Sequence, residues 1–155
     1  VSVPVELSAR VEYALIALLE MANGYASKEP LKLSEITLKQ AIPERYLEQI
    51  LIHLRHGGIV QSQRGAKGGY VLTREPWRIT LLEIVSAIEG DAEQIRLRRR
   101  KPKGDSAELT IEKDLVYEVW QQSDAASRAV LNRYTLQDLC QKLEDAKRTD
   151  PMYHI

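Results

Sequence analysis

The 155-residue sequence has no phenylalanine and a single cysteine, Cys140. A lone thiol excludes an internal disulfide and fits a reducing, cytoplasmic setting. Long apolar runs are missing as well. None approaches the roughly 20 residues that a membrane span needs, and no signal-peptide pattern opens the chain. No Ser/His/Asp, Cys/His or paired-carboxylate arrangement stands out, because the acids are scattered over helical surfaces, so no enzyme is expected. Net charge is also absent: 22 cations balance 22 anions.

That neutrality hides segregation. Residues 1–80 hold ten Lys/Arg against eight Asp/Glu, residues 96–103 hold six cations and no acid, and residues 104–155 hold six cations against ten acids. Local patches, and not the total, set the field that a phosphate backbone meets. The rest of the composition, 44% hydrophobic and 28% charged, is that of an ordinary globular chain. Its length suits one domain with a real core, or a small domain plus an extended element.

Apolar Leu7, Val11, Ala14, Leu15, Leu18, Leu19 and Ala22 recur at helical spacing from a Ser8 start, and Asn23-Gly24 stops the pattern. A short helix is expected from about Ser34. Pro43 suits the first turn of the next helix, whose buried stripe is Leu47, Ile50, Leu51 and Leu54, and Gly57-Gly58 ends it. The opposite face presents Arg45, Tyr46, Glu48, Gln49, His53 and His56. Ile59 to Leu72 then reads as two short strands joined by the glycine-rich, doubly cationic tip Arg64-Gly65-Ala66-Lys67-Gly68. Thr80 and Glu83 form a capping box for Leu81 to Glu89, ended by Gly90. Residues 91–108 read as an exposed basic loop, Glu112 to Leu131 as a long helix, and a last short helix begins at Thr135.

Two helices followed by a basic hairpin are the order of a winged helix-turn-helix. Arg45 and Gln49 carry the donors and acceptors that base edges and phosphates require, Glu48 can accept from cytosine N4, and Tyr46 can reach a phosphate. Taken alone, that face is an ordinary solvated helix surface; the adjoining hairpin favours DNA readout. The glycines are not a nucleotide loop, since a P-loop needs Gly-Lys-Ser/Thr where this chain has Gly69-Tyr70-Val71. They let the tip turn tightly and approach DNA, with Lys67 and Gly68 at its end and Arg64 placed for a narrow minor groove. His53 and His56 lack further ligands at matching spacing, so no metal site is expected. Leu115, Val116, Val119, Trp120 and Val130 give the long helix more apolar surface than one solvent-facing helix should carry, so it either packs back on its own domain or pairs with a second copy, and pairing is the better reading.

Tyr13-Ala14, Tyr46-Leu47-Glu48-Gln49, Arg64-Gly65 with Gly68-Gly69-Tyr70, and Leu81 to Glu89 together resemble the Rrf-two type of bacterial winged helix-turn-helix regulators. The likeness runs from about Leu7 to Gly90 and more weakly to about Ala146. It implies a homodimer with crossed C-terminal helices that recognises a palindromic promoter element in double-stranded DNA. By matching position it makes Arg45, Tyr46, Glu48 and Gln49 the major-groove side chains and Arg64 the minor-groove residue. Iron–sulfur members of the family carry three cysteines in the loop after the post-wing helix; here residues 91–108 contain none, and Arg96 to Lys103 is a basic run instead. A cluster normally requires several thiolates. The expectation is therefore a regulator, of repressor type, without a cluster or other cofactor. The basic run is a candidate site for an anionic effector or a partner protein. Two alternatives stay open: a redox or iron–sulfur regulator with atypical ligands, and an interaction module that has lost operator binding.

The expected fold is mainly α with a small β-hairpin, a winged helix-turn-helix domain plus a long C-terminal dimerisation helix. Its divisions are a DNA-binding domain over 1–90, the basic loop over 91–108, dimerisation helices over 109–148 and a tail over 149–155.

Overall fold

The computed structural model describes residues 7–90 and 110–150. Helix α1 (Ala9–Asn23) starts where Ser8 Oγ accepts from the Val11 N–H at 3.2 Å. Its inward face is Val11, Ala14, Ala17, Leu18 and Met21. The two alanines are fully buried, and their small side chains leave room for three later helices, Glu44–His56, Leu81–Glu89 and Leu136–Thr149, all of which pack against α1. After a short 3₁₀ turn (Tyr25–Ser27) comes α2 (Leu33–Gln40). It begins one residue earlier than the sequence suggests, because Glu35 accepts from the Lys32 N–H at 3.2 Å and shifts the cap to Lys32.

The chain leaves α2 through Ala41, held at a left-handed φ of 53°, and drops Ile42 into the core. Pro43 stands just before α3 (Glu44–His56) and not inside its first turn, because its ψ of 128° is extended rather than helical. Strands β1 (Val60–Gln63) and β2 (Gly69–Leu72) form an antiparallel hairpin in which Val60 faces Leu72 and Gln63 faces Gly69. A second 3₁₀ turn (Pro76–Arg78) leads into α4 (Leu81–Glu89).

The cap of α4 is reciprocal. Thr80 Oγ1 accepts from the Glu83 N–H at 3.2 Å, while Glu83 Oε2 accepts from the Thr80 N–H at 2.8 Å. Arg74 adds an ion pair to the other Glu83 oxygen at 2.8 Å. Burial pushes the Glu83 carboxyl up, but the Thr80 N–H and the Arg74 guanidinium outweigh it and hold the group below its ordinary value. A depressed folded pKa means that this cap contributes fully above the unfolded carboxylate pKa of about 4.3 and fades as pH falls through the folded value. Glu83→Gln should therefore lose less stability than the parent between about pH 7 and about pH 3. Equal losses in thermal unfolding would deny Glu83 that role.

Two helices lie C-terminal to residues 91–109. Helix α5 (Ile111–Arg133) is capped by Thr110, whose Oγ1 accepts from the Lys113 N–H at 3.3 Å. Helix α6 (Leu136–Thr149) is capped by Thr135. These two differ in how they meet the core. Between them the chain passes the start of α4, where the Leu136 N–H donates to the Ile79 carbonyl at 2.8 Å and the Leu81 N–H to that of Tyr134 at 2.9 Å. Leu136 is thereby fully buried among residues of the N-terminal helices. Of the segment 109–148 expected to pair with a second copy, α6 is thus docked on the domain that carries the wing. Helix α5 touches α4 along one side yet buries none of its residues.

Candidate nucleic-acid interface

Helix α3 is held by one face and exposes the other. Leu47, Ile50, Leu51 and Leu54 are buried at i, i+3, i+4 and i+7, so the intervening positions must point outward. Arg45, Tyr46, Glu48 and Gln49 all lie on that exposed side, close to the helix N-terminus, and the Tyr46 ring is 55% exposed. His53 and His56 continue the same surface toward the C-terminal end. Among the described residues no three His, Cys, Asp or Glu converge as metal ligands.

The wing is tied to the body at its base. Ile59 and Val60 are buried, the Thr73 N–H donates to the Ile59 carbonyl at 3.0 Å, and Tyr70 exchanges two backbone hydrogen bonds with Leu31, at 2.9 and 3.0 Å. Leu31 is a contributor that sequence reasoning missed. A single-residue bridge has no periodicity to betray it, though Gly69 is a clue in retrospect. A Cβ at Gly69 would stand 2.6 Å from the Leu31 carbonyl oxygen, and its φ is 154°.

At the tip, Gly65 has a φ of 108° and accepts from the Gly68 N–H at 2.9 Å, closing a turn. A Cβ on Gly68 would lie 2.5 Å from the Gln63 carbonyl oxygen and 2.8 Å from that of Gly65. The hairpin's own backbone therefore requires glycine there, whatever else approaches it. Arg64 and Lys67 are exposed. Neither they nor Arg45 make an ion pair among the described residues, unlike Lys39, Arg74 and Arg78, which pair with nearby acids. Their charge is free for an external anion.

The predicted dimerisation residues Leu115, Val116, Val119, Trp120 and Val130 are brought together on α5 as an exposed apolar surface, with Val119 at 62% and Trp120 at 66% exposure. At about 100° per residue they spread over nearly half of the helix circumference. The run Arg96 to Lys103 falls outside the described residues. Cys140 sits on α6 at 7% exposure; burial pushes its thiol up, and Glu144 adds to that shift. A protonated, enclosed thiol is a poor metal ligand.

A helix-turn-helix with an exposed polar N-terminal face, flanked by a cationic hairpin, defines a winged-helix DNA-binding protein. The chain belongs to the Rrf2 family of transcription regulators, whose family model, described as iron-dependent transcriptional regulator, matches residues 7–142. It is 31% identical to the HTH-type transcriptional regulator CymR of Bacillus subtilis over 150 residues, covering 97% of this chain and 99% of that one. It is 32% identical to the regulator IscR of Cronobacter sakazakii over 138 residues, covering 89% and 82%. The solved structure of B. subtilis CymR, described as a global cysteine regulator, superposes with a TM-score of 0.69 at 32% identity, covering 90% of this chain and 98% of that one. T. potens IscR gives 0.73 at 28% identity, covering 97% of both. The fold expected from the sequence is the fold found, and the protein is a DNA-binding transcription regulator. The relatives are regulators and not enzymes, and no helix among the described residues is long and apolar enough to cross a membrane.

The family's description raises iron. The donor set here does not fit a thiolate-held cluster: the whole chain has one cysteine, and it is buried on α6 with its thiol held protonated.

Proposed function

We propose that the chain works in the cytoplasm as a homodimeric repressor that binds a palindromic promoter element without an iron–sulfur cluster. The observation that supports this reading best is the shared scaffold of α3 and the wing. One buried core presents the exposed face of Arg45, Tyr46, Glu48 and Gln49 and, next to it, Arg64 and Lys67, which have no ion-pair partner among the described residues. In this reading α3 enters the major groove, Arg64 enters the adjacent minor groove, and Lys67 with the Gly68 backbone lies along phosphates. A gel shift on genomic fragments tests it. Binding no better than non-specific at about 0.15 M salt would leave only an interaction module with a winged fold.

Arg64→Ala should weaken operator binding by about 1–3 kcal/mol, roughly 5- to 150-fold. It should leave melting unchanged, because the side chain is exposed and unpaired. Unaltered affinity in a direct titration would take Arg64 out of the interface.

For the cofactor, protein purified without oxygen should be colourless and carry no stoichiometric iron. Visible absorption with bound iron would show that atypical ligands hold a cluster after all.

A further inference from the structure

The wing and the body of the domain do not meet flush. Between the end of α1, the turn after it and strand β2 lies a cavity of about 230 Å³. That is room for several waters at about 30 Å³ each, but it falls short of the roughly 300–1,000 Å³ of pockets for drug-sized ligands. A nucleotide or large cofactor would not be enclosed there.

The lining has two characters. Met21 and Leu72 belong to the buried core, and Tyr25, Leu31 and Tyr70 stand half-buried around them. The Tyr25 ring is held edge-on by Trp77, with centroids 6.4 Å apart and planes at 86°. The charged residues are Glu20, Lys28 and Glu29. Glu20 is already satisfied, one oxygen accepting from Lys39 Nζ at 3.0 Å and the other from Gln40 Nε2 at 2.7 Å. Lys28 and Glu29 are exposed, and neither side chain has a partner among the described residues. Lys28 is also held at a left-handed φ of 56°, an uncommon conformation for a residue with a side chain.

We propose that this cavity binds a small zwitterionic amino acid with an apolar side chain. The side chain fills the space between Met21 and the two tyrosine rings, the α-carboxylate meets Lys28, and the α-ammonium meets Glu29. A plain anion would satisfy Lys28 while facing the Glu29 carboxylate, and a plain cation would meet the reverse conflict. A zwitterion answers both charges, and its apolar part answers the aromatic and thioether lining. Such a ligand touches α1 and the wing at once, since Tyr70 and Gln63 of the hairpin also line the cavity. Arg64 follows Gln63 directly, which places the residue proposed to enter DNA next to the lining and makes coupling to operator binding testable. That coupling rests on the DNA-binding assignments above; the binding itself does not.

The binding test accordingly contains no DNA. L-leucine, L-methionine and L-phenylalanine are titrated separately into the protein by calorimetry, with methyl and ring NMR signals of Met21 and Tyr70 followed in parallel. At least one should bind with a Kd below about 1 mM. The matching amine without carboxylate, and the matching acid without ammonium, should each bind at least about 10-fold more weakly. Lys28→Gln should weaken the amino acid by about 10-fold or more while melting at the parent temperature. No shift at Met21 or Tyr70 up to about 10 mM would overturn the site, as would equal binding of the amine or indifference to Lys28→Gln. With the site saturated, operator affinity should change; an unchanged value would overturn the coupling alone.

Discussion

Val119→Asp is expected to turn the proposed homodimer into a monomer and to lower affinity for the proposed palindromic operator on the order of 100-fold or more. Val119 lies in the middle of the apolar surface of α5 and is 62% exposed in the single chain, so aspartate there costs the monomer fold little. In a two-fold pair each substitution counts twice, and each places a carboxylate within the apolar surface proposed to pair. The parent surface argues for the pairing on magnitude. Burying a side chain of the size of Leu115, Val116 or Val119 is worth about 1.5–3 kcal/mol, and the side of α5 facing its own domain buries nothing fully. A monomer reads one half-site only, which is why operator affinity should fall with the dimer. Sedimentation velocity reads the oligomeric state, and a far-ultraviolet spectrum shows that the helices persist. A variant that still sediments as a dimer would move the interface elsewhere on the molecule.

Leu136→Ala should lower stability by about 2–5 kcal/mol, a fall in Tm of roughly 5–15 °C for a chain of this size. The reason is a tertiary one. Leu136 opens α6, far along the chain from the wing, yet it is fully buried in the same cluster as Leu18, Leu51 and Ile84. Its backbone N–H is bound to Ile79, and the chain beside it is bound to Leu81. Removing the side chain leaves a cavity under the N-terminal helices, so one cooperative transition should shift as a whole. Were α6 only an appendage, thermal unfolding would show the wing domain melting at the parent temperature.

The features that were readable in the sequence are those governed by nearest neighbours along the chain. Ser8, Thr80 and Thr135 stand at helix starts because a hydroxyl can satisfy an N–H three residues on. The stripe from Leu47 to Leu54 identifies the buried side of α3, and the exposed side follows by elimination. The tip glycines mark a turn because Gly65 needs a positive φ. Small displacements, such as Pro43 lying before α3 instead of within it, arise because a proline fixes φ while leaving ψ to its surroundings.

What stayed hidden depends on approach between distant segments. Nothing in the pattern of Leu136 distinguishes a side chain that docks on its own domain from one that seeks a second copy, since both are apolar positions on an amphipathic helix. The Leu31 bridge and the cavity beside Lys28 are likewise invisible. One is a single pair of residues joined by two backbone hydrogen bonds, and the other is a space that no residue specifies alone.

By itself, then, the sequence determined the helices, the wing, the exposed polar face of α3 and the absence of a thiolate set for a cluster. All of these follow from residue chemistry and short-range spacing. Only the tertiary structure decided which C-terminal helix belongs to the core and which keeps an unpartnered face, and where wing and body leave room for a ligand. Burial is a property of what packs against a surface, and a helix does not carry its partner in its own periodicity.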